Sequence, residues 1–165
     1  MNNNEYFFSF FPQFCSDPIN DKAWGEGFTD WNLVSQLKPE EAACFTPKIG
    51  FYNTTDSFYL EYLVEELNIL RSLRAGLMIY HYYFDGVHAL DQFEKNFLAA
   101  DTGCPFFLCW ANESWTKRWI GKPKDVIIRQ DHLPDKDTIR SHVKYLIQFF
   151  DKPNYRRHNG RPILI

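Results

Sequence analysis

Between Cys104 and Trp119 an apolar run stops abruptly in a polar, tryptophan-rich one. Phe106 to Trp110 read as a buried strand, and Asn112, Glu113, Lys117 and Arg118 follow it, interleaved with the indoles of Trp110, Trp115 and Trp119. Stacking planes beside hydrogen-bonding groups are what a sugar-binding cleft needs, since a pyranose has one apolar C–H face and a rim of hydroxyls. The plainer alternative is that the tryptophans cover one end of a core and Glu113 is a solvated loop acid.

Breaking or transferring a glycosyl bond usually takes two carboxyl groups, one to protonate the leaving oxygen and one to act as base or nucleophile. Glu113 is the candidate catalytic acid, because flanking Trp110 and Trp115 would exclude water and raise its pKa. Glu26 and Asp30 are the alternatives for a second acid, each also readable as structural. Trp24, Trp31, Tyr83, Trp110 and Trp115 are candidate substrate-stacking rings. His81, Asn112 and Arg118 are candidate donors to sugar hydroxyls or a phosphate, with a satisfied core histidine the equal alternative for His81. Lys117 with Arg118 would suit a diphosphate, but no glycine-rich phosphate loop follows any strand.

The elements that must position these groups alternate in type. Tyr6 to Phe11 is a first aromatic strand, followed by a long loop carrying Trp24-Gly-Glu-Gly-Phe-Thr-Asp-Trp31. A short helix is expected over Asn32 to Leu37, with irregular chain from Glu40 to Tyr52. Thr55-Asp56-Ser57 offers N-caps for a helix whose leucines (Leu60, Leu63, Leu67, Leu70, Leu73) recur at helical spacing and which Gly76 ends. Leu77 to Tyr80 is the next strand, ending in His81-Tyr-Tyr-Phe84. Val87 to Ala100 reads as a second amphipathic helix, Val126 to Ile128 as a brief β-prone run, and Pro134 to Phe150 as a third helix with Ile139, Val143, Leu146, Ile147 and Phe150 on one face. Ile163 to Ile165 begins another strand.

Strands alternating with amphipathic helices imply an α/β fold with a parallel sheet. Polar and aromatic residues spill out after each strand's C-terminal end, the layout of a (β/α) TIM-type barrel. A doubly wound sheet is the alternative. A complete barrel takes about 250 residues, so residues 1–165 are expected to be a single N-terminal portion, roughly the first half of an incomplete barrel. Its open sheet edge would invite self-association or the missing C-terminal half.

Composition excludes several classes. With 45% hydrophobic residues the chain is globular, and a net charge of −3 gives no basic field for nucleic acid. No apolar run approaches the ~20 residues of a transmembrane helix. The four cysteines (Cys15, Cys44, Cys104, Cys109) lack C-x-x-C spacing, so reduced thiols in a cytoplasmic protein with no metal and no cofactor are expected.

Phe11-Pro-Gln-Phe14, Asn20-Asp-Lys22, Trp24 to Trp31, Tyr80-His-Tyr-Tyr-Phe84 and Cys109-Trp-Ala-Asn-Glu-Ser-Trp115, taken together and in this order, resemble the WbsX-type family. These are proteins of bacterial polysaccharide gene clusters, also described as glycoside hydrolase family 99-like domains. The resemblance runs from Phe11 to Ile165. It implies a (β/α)-barrel acting on glycosidic bonds as glycosyltransferase or glycoside hydrolase, in O-antigen or capsule metabolism, with a carbohydrate partner. Cys15 stands where a histidine is common in the family, Ala23 replaces a first tryptophan, and Cys44 to Ile49 departs from the usual loop. The alternative is a non-catalytic carbohydrate-binding chain, or a remnant needing a partner to complete its barrel.

Overall fold

A computed structural model describes residues 5–42, 46–47, 49–132 and 135–165. Cys44, Pro134 and the side chains of Ser57, Leu60 and Trp119 lie outside the described residues. The chain runs β1 (Tyr6–Phe10), α1 (Pro18–Trp24), α2 (Trp31–Val34), α3 (Pro39–Ala42), α4 (Ser57–Ser72), β2 (Ala75–Phe84), β3 (Val87–Ala89), α5 (Asp91–Ala100) and β4 (Phe106–Trp110). There follow β5 (Trp115–Lys117), a 3-10 turn (Arg118–Ile120), β6 (Lys122–Ile128), α6 (Lys136–Phe150), β7 (Arg157–His158) and β8 (Arg161–Pro162).

The fold is mixed α/β. β2 is central, paired in parallel with β1 (Phe8 opposite Leu77) and with β4 (Ile79 opposite Leu108). Leu164 forms a parallel bridge to Leu108 beyond β4. The parallel strands β1, β2 and β4 therefore lie side by side in chain order, and β3 pairs antiparallel with the C-terminal end of β2. Close contact between β2 and β4 needs Gly76: a Cβ there would sit 2.2 Å from the Pro105 carbonyl oxygen. Gly76 thus belongs to the strand, whereas the sequence suggested a helix terminator.

β2 is buried almost throughout, as a strand covered on both faces must be. Leu77 and Ile79 point to the helices, packing with Leu63 and Leu67 of α4, Phe93 and Phe97 of α5, and Leu146 and Phe149 of α6. Tyr82 and Phe84 point the other way, under Phe11, Ile19, Trp115 and Ile128. We call these the helix face and the loop face.

Two expectations fail for identifiable reasons. Val87 does not start a helix: Asp85 and Gly86 have φ of 43° and 107°, the two positive values a tight hairpin turn requires, so the chain folds back as β3. The buried side of α6 is His142, Leu146 and Phe149, while Ile139, Val143 and Ile147 form a half-exposed stripe. Of the apolar face read from the sequence, Leu146 and Phe150 do pack on the core, but His142 is buried where Val143 was expected because it sits among partners of its own. No helix among the described residues is long and apolar enough to cross a membrane.

Candidate functional site

The long loop after β1 is built on two aspartates. Asp17 caps α1 by accepting from Ile19 N (2.8 Å), and its other oxygen accepts from Leu90 N (2.7 Å), tying this loop to the start of α5. Asp21 accepts from Gly27 N and Phe28 N at 3.1 and 3.2 Å, with Gly27 at φ 75°, so the Gly25–Gly27 turn wraps one carboxylate. Lys117 fastens the far side: its ammonium donates to Ala23 O (2.8 Å) and lies 4.8 Å from the Trp24 ring centre. Trp24 also stacks on Phe28. The Trp31 indole donates to Tyr52 O (2.7 Å) and packs against Phe14, Phe51 and Tyr52.

This scaffold sets Asp30 beside the loop-face end of β2. Asp30 N donates to Gln13 O (3.1 Å). Its half-buried carboxyl accepts no hydrogen bond among the described residues, and loss of water pushes its pKa up to about 6. Tyr82 is the ring at the centre, stacked on Trp115 (5.1 Å) and edge-on to Phe11 (6.0 Å). Burial raises the Tyr82 phenol's pKa, and the nearby Tyr80, Asp30, Cys109 and Glu113 raise it further. Charges from both Asp30 and Glu113 therefore bear on one hydroxyl that stays protonated and can donate. Glu113 itself is exposed and makes no hydrogen bond or ion pair among the described residues, so Arg118 does not neutralise it. Asn112 and Arg118 are exposed on the same segment.

His81, Tyr83 and Trp110 lie on the helix face instead. His81 is 0% exposed; its Nδ1 faces both Glu94 oxygens at 2.9 and 3.1 Å, and its Nε2 faces His142 Nε2 at 2.9 Å. Tyr145 donates to Glu94 Oε2 (3.0 Å). Tyr83 stacks on His142 at 4.0 Å and donates to Thr138 O (2.9 Å). Trp110 meets His142 edge-on at 4.9 Å and donates to Tyr83 O (3.0 Å). The structure thus gathers Trp24, Glu113 and Trp115 on or beside the loop face and keeps His81, Tyr83 and Trp110 behind the sheet. Tyr80, Tyr82, Glu94 and His142 were not singled out from the sequence. Strict alternation along a strand could have signalled that Tyr80 and Tyr82 face away from His81 and Tyr83.

Among the described residues no group of three or more His, Cys, Asp or Glu side chains could hold a metal ion. Cys15 and Cys109 are free thiols.

The family described as "Glycosyltransferase WbsX" matches residues 7–165. Two proteins from strains of Xanthomonas campestris pv. campestris, each named "Uncharacterized protein WxcX", are 32% identical over 162 residues, covering 94% of this chain and 23% of their own length. The chain therefore spans about a quarter of these relatives. Two structures of the GH99 endo-alpha-mannosidase from Bacteroides thetaiotaomicron share the fold. One, in complex with BIS-TRIS-propane, has a TM-score of 0.51 at 16% identity over 98% of this chain and 41% of that one. The other has a TM-score of 0.52 at 15% identity, over 97% and 44%. With the family matched along nearly all of its length, the chain belongs to the WbsX glycosyltransferase family.

Proposed function

We propose that the loop face of β2 is a glycan site in which Asp30 and Glu113 are the acid–base pair. The observation that carries it is the Tyr82–Trp115 ring stack at the end of β2, whose phenol feels the charges of the unpartnered Asp30 and Glu113 carboxyls. Asp30, with a pKa near 6, holds a proton at mildly acidic pH and suits a general acid. Glu113, exposed and unpaired, suits the base or nucleophile. Trp24 and Trp115 offer ring surface, and Asn112 and Arg118 offer donors to hydroxyls or an anionic substituent. Trp31, His81, Tyr83 and Trp110 are assigned to the walls that hold those groups.

The sheet order and the GH99 likeness support reading residues 1–165 as one portion of a (β/α)-barrel. Tyr6 and Phe8, 63% and 55% exposed on edge strand β1, are where the rest of such a barrel, or a second copy, would pack. The family supports a role in cell-surface polysaccharide metabolism such as O-antigen or capsule, by transfer or hydrolysis. Free thiols suit a cytoplasmic setting.

The test is incubation of the chain with α-mannobiose and with O-antigen polysaccharide, following new reducing ends and new glycosidic products. Either Asp30→Asn or Glu113→Gln should lower turnover at least a hundredfold, with sugar binding by calorimetry retained. Binding without turnover in the unaltered chain would favour the second reading, a carbohydrate-binding module, which the exposed and unpaired state of Glu113 also suits. Turnover unchanged by both substitutions would remove the pair from the mechanism.

A further inference from the structure

We propose that Glu94, His81 and His142 form a proton-sharing strut that positions the end of β2, and with it Tyr80 and Tyr82, against α5 and α6. The proposal rests on the loop-face site being the functional one, but its test does not.

Three contacts define the strut. Glu94 accepts from two directions, from Tyr145 at 3.0 Å and from His81 Nδ1 at 2.9 Å, which suits the ionised carboxylate. His81 Nδ1 therefore carries hydrogen. The two Nε2 atoms, 2.9 Å apart, must then hold one proton between them. A bridging metal does not fit that gap: zinc–nitrogen bonds of about 2.0–2.1 Å at a tetrahedral angle would separate the nitrogens by about 3.4 Å.

Proton counting gives the strut its behaviour. With both rings neutral, His142 donates from Nε2 to His81. When one further proton enters at His142 Nδ1, the shared proton passes to His81, whose positive charge then lies against Glu94. Both states keep the contact. A second added proton puts N–H on both Nε2 atoms, and the rings must part. His142 resists that step: burial first, then the charges of His81 and His88, lower its pKa to about 4. The titratable and charged groups around the strut are Glu94, Asp91 and Lys95 of α5, His88 of β3, Tyr83 of β2, and His142 and Tyr145 of α6. His88 is itself lowered by burial.

The link to the site is through one strand. His81 sits between Tyr80 and Tyr82, its carbonyl accepts from Ala111 N at 2.9 Å, and Ala111 is two residues from Glu113. Releasing His81 from α6 frees the strand end that both loop-face tyrosines share.

The experiment is a site-resolved NMR titration of the chain from pH 7.5 to 3.5, following imidazole 15N signals and the Trp115 indole, which stacks on Tyr82. The expected result is a late His142 protonation step more than tenfold removed in proton affinity from a free histidine, with the Trp115 signal moving at the same pH. In His142→Gln, whose amide can still donate to His81 Nε2 but cannot titrate, that late Trp115 step should vanish while the neutral-pH spectrum is kept. A His142 that titrates near pH 6.5 in the unaltered chain would overturn the proposal without any variant. So would a Trp115 signal that stays still while His142 titrates, or a zinc-dependent spectrum abolished by chelator. Loss of glycan turnover in Asp30→Asn with the titration unchanged would separate the two readings.

Discussion

The two faces of β2 carry similar residues in opposite electrostatic states. On the loop face, Asp30 and Glu113 have no partners among the described residues, and burial alone acts on Asp30 to raise its pKa. On the helix face, Glu94 is 1% exposed yet bonded at both oxygens by His81 and Tyr145. A buried carboxylate with both oxygens engaged holds a fold together; a half-buried one left unpaired waits for something else to bond. The lesson is that a carboxylate's partners, more than its exposure, separate framework from candidate chemistry here.

Stability measurements should show this contrast most strongly. Removing Glu94 in Glu94→Ala leaves the buried His81 Nδ1–H and the Tyr145 hydroxyl without their acceptor, and a buried donor left unsatisfied typically costs about 1–3 kcal/mol. Glu113→Gln touches no partner and should change stability by less than about 0.5 kcal/mol. Urea unfolding of both variants checks the difference, and equal midpoints would erase the distinction between the faces.

The pH dependence should separate them by sign. Unfolded Asp30 loses its proton near its ordinary value of 3.8, whereas folded Asp30 keeps it to about 6. Between those values the folded chain binds more protons, so this group makes stability fall as pH rises. His142 does the reverse. Unfolded, it takes up a proton below 6.5; folded, only below about 4, so its contribution rises with pH through that window and is lost on acidification. Solvent screening keeps each effect to about 1–2 kcal/mol, and the two largely cancel in the unaltered chain. Asp30→Asn should expose a steep loss of stability from pH 6.5 down to 4, and His142→Gln a decline from pH 4 up to 6. Urea midpoints across that range decide it; parallel profiles in the two variants would refute the opposite signs.

The sequence carried the framework well where local chemistry is decisive. Alternating strands and helices, the strand at Phe106, and the placement of Glu113 in the loop beyond it all follow from apolar runs and turn residues. The β2–β3 turn was legible too, since Asp85-Gly86 is a strong hairpin signal, but helical spacing of Leu90, Phe93 and Phe97 concealed it. The division of Tyr80 to Phe84 between two faces follows from strand geometry, yet which face meets the site depends on what packs there. Glu94 and His142 were beyond reach, because 48 positions separate them in sequence and only the meeting of α5 with α6 makes a buried acid and a buried histidine affordable.

The smallest expected effect lies where the first loop meets β5, and it tests whether the loop face is held ready or assembled on binding. Lys117 is committed to Ala23 O and to the Trp24 ring, while Arg118 next to it is exposed and unpaired among the described residues. Lys117→Met keeps the aliphatic stem but removes the charge, and a cation–π contact of this exposure contributes about 0.5–1 kcal/mol. The variant should lose about that much stability and become more readily cleaved by protease within Gly25–Gly27, the turn that Asp21 alone would then hold. Arg118→Met should leave both unchanged and weaken only the binding of an anionic sugar. If the Lys117 and Arg118 variants behave alike, the first loop is not fastened to β5 by this lysine, and Asp30 must owe its place beside Tyr82 to the Gln13 and Tyr52 contacts of its own segment.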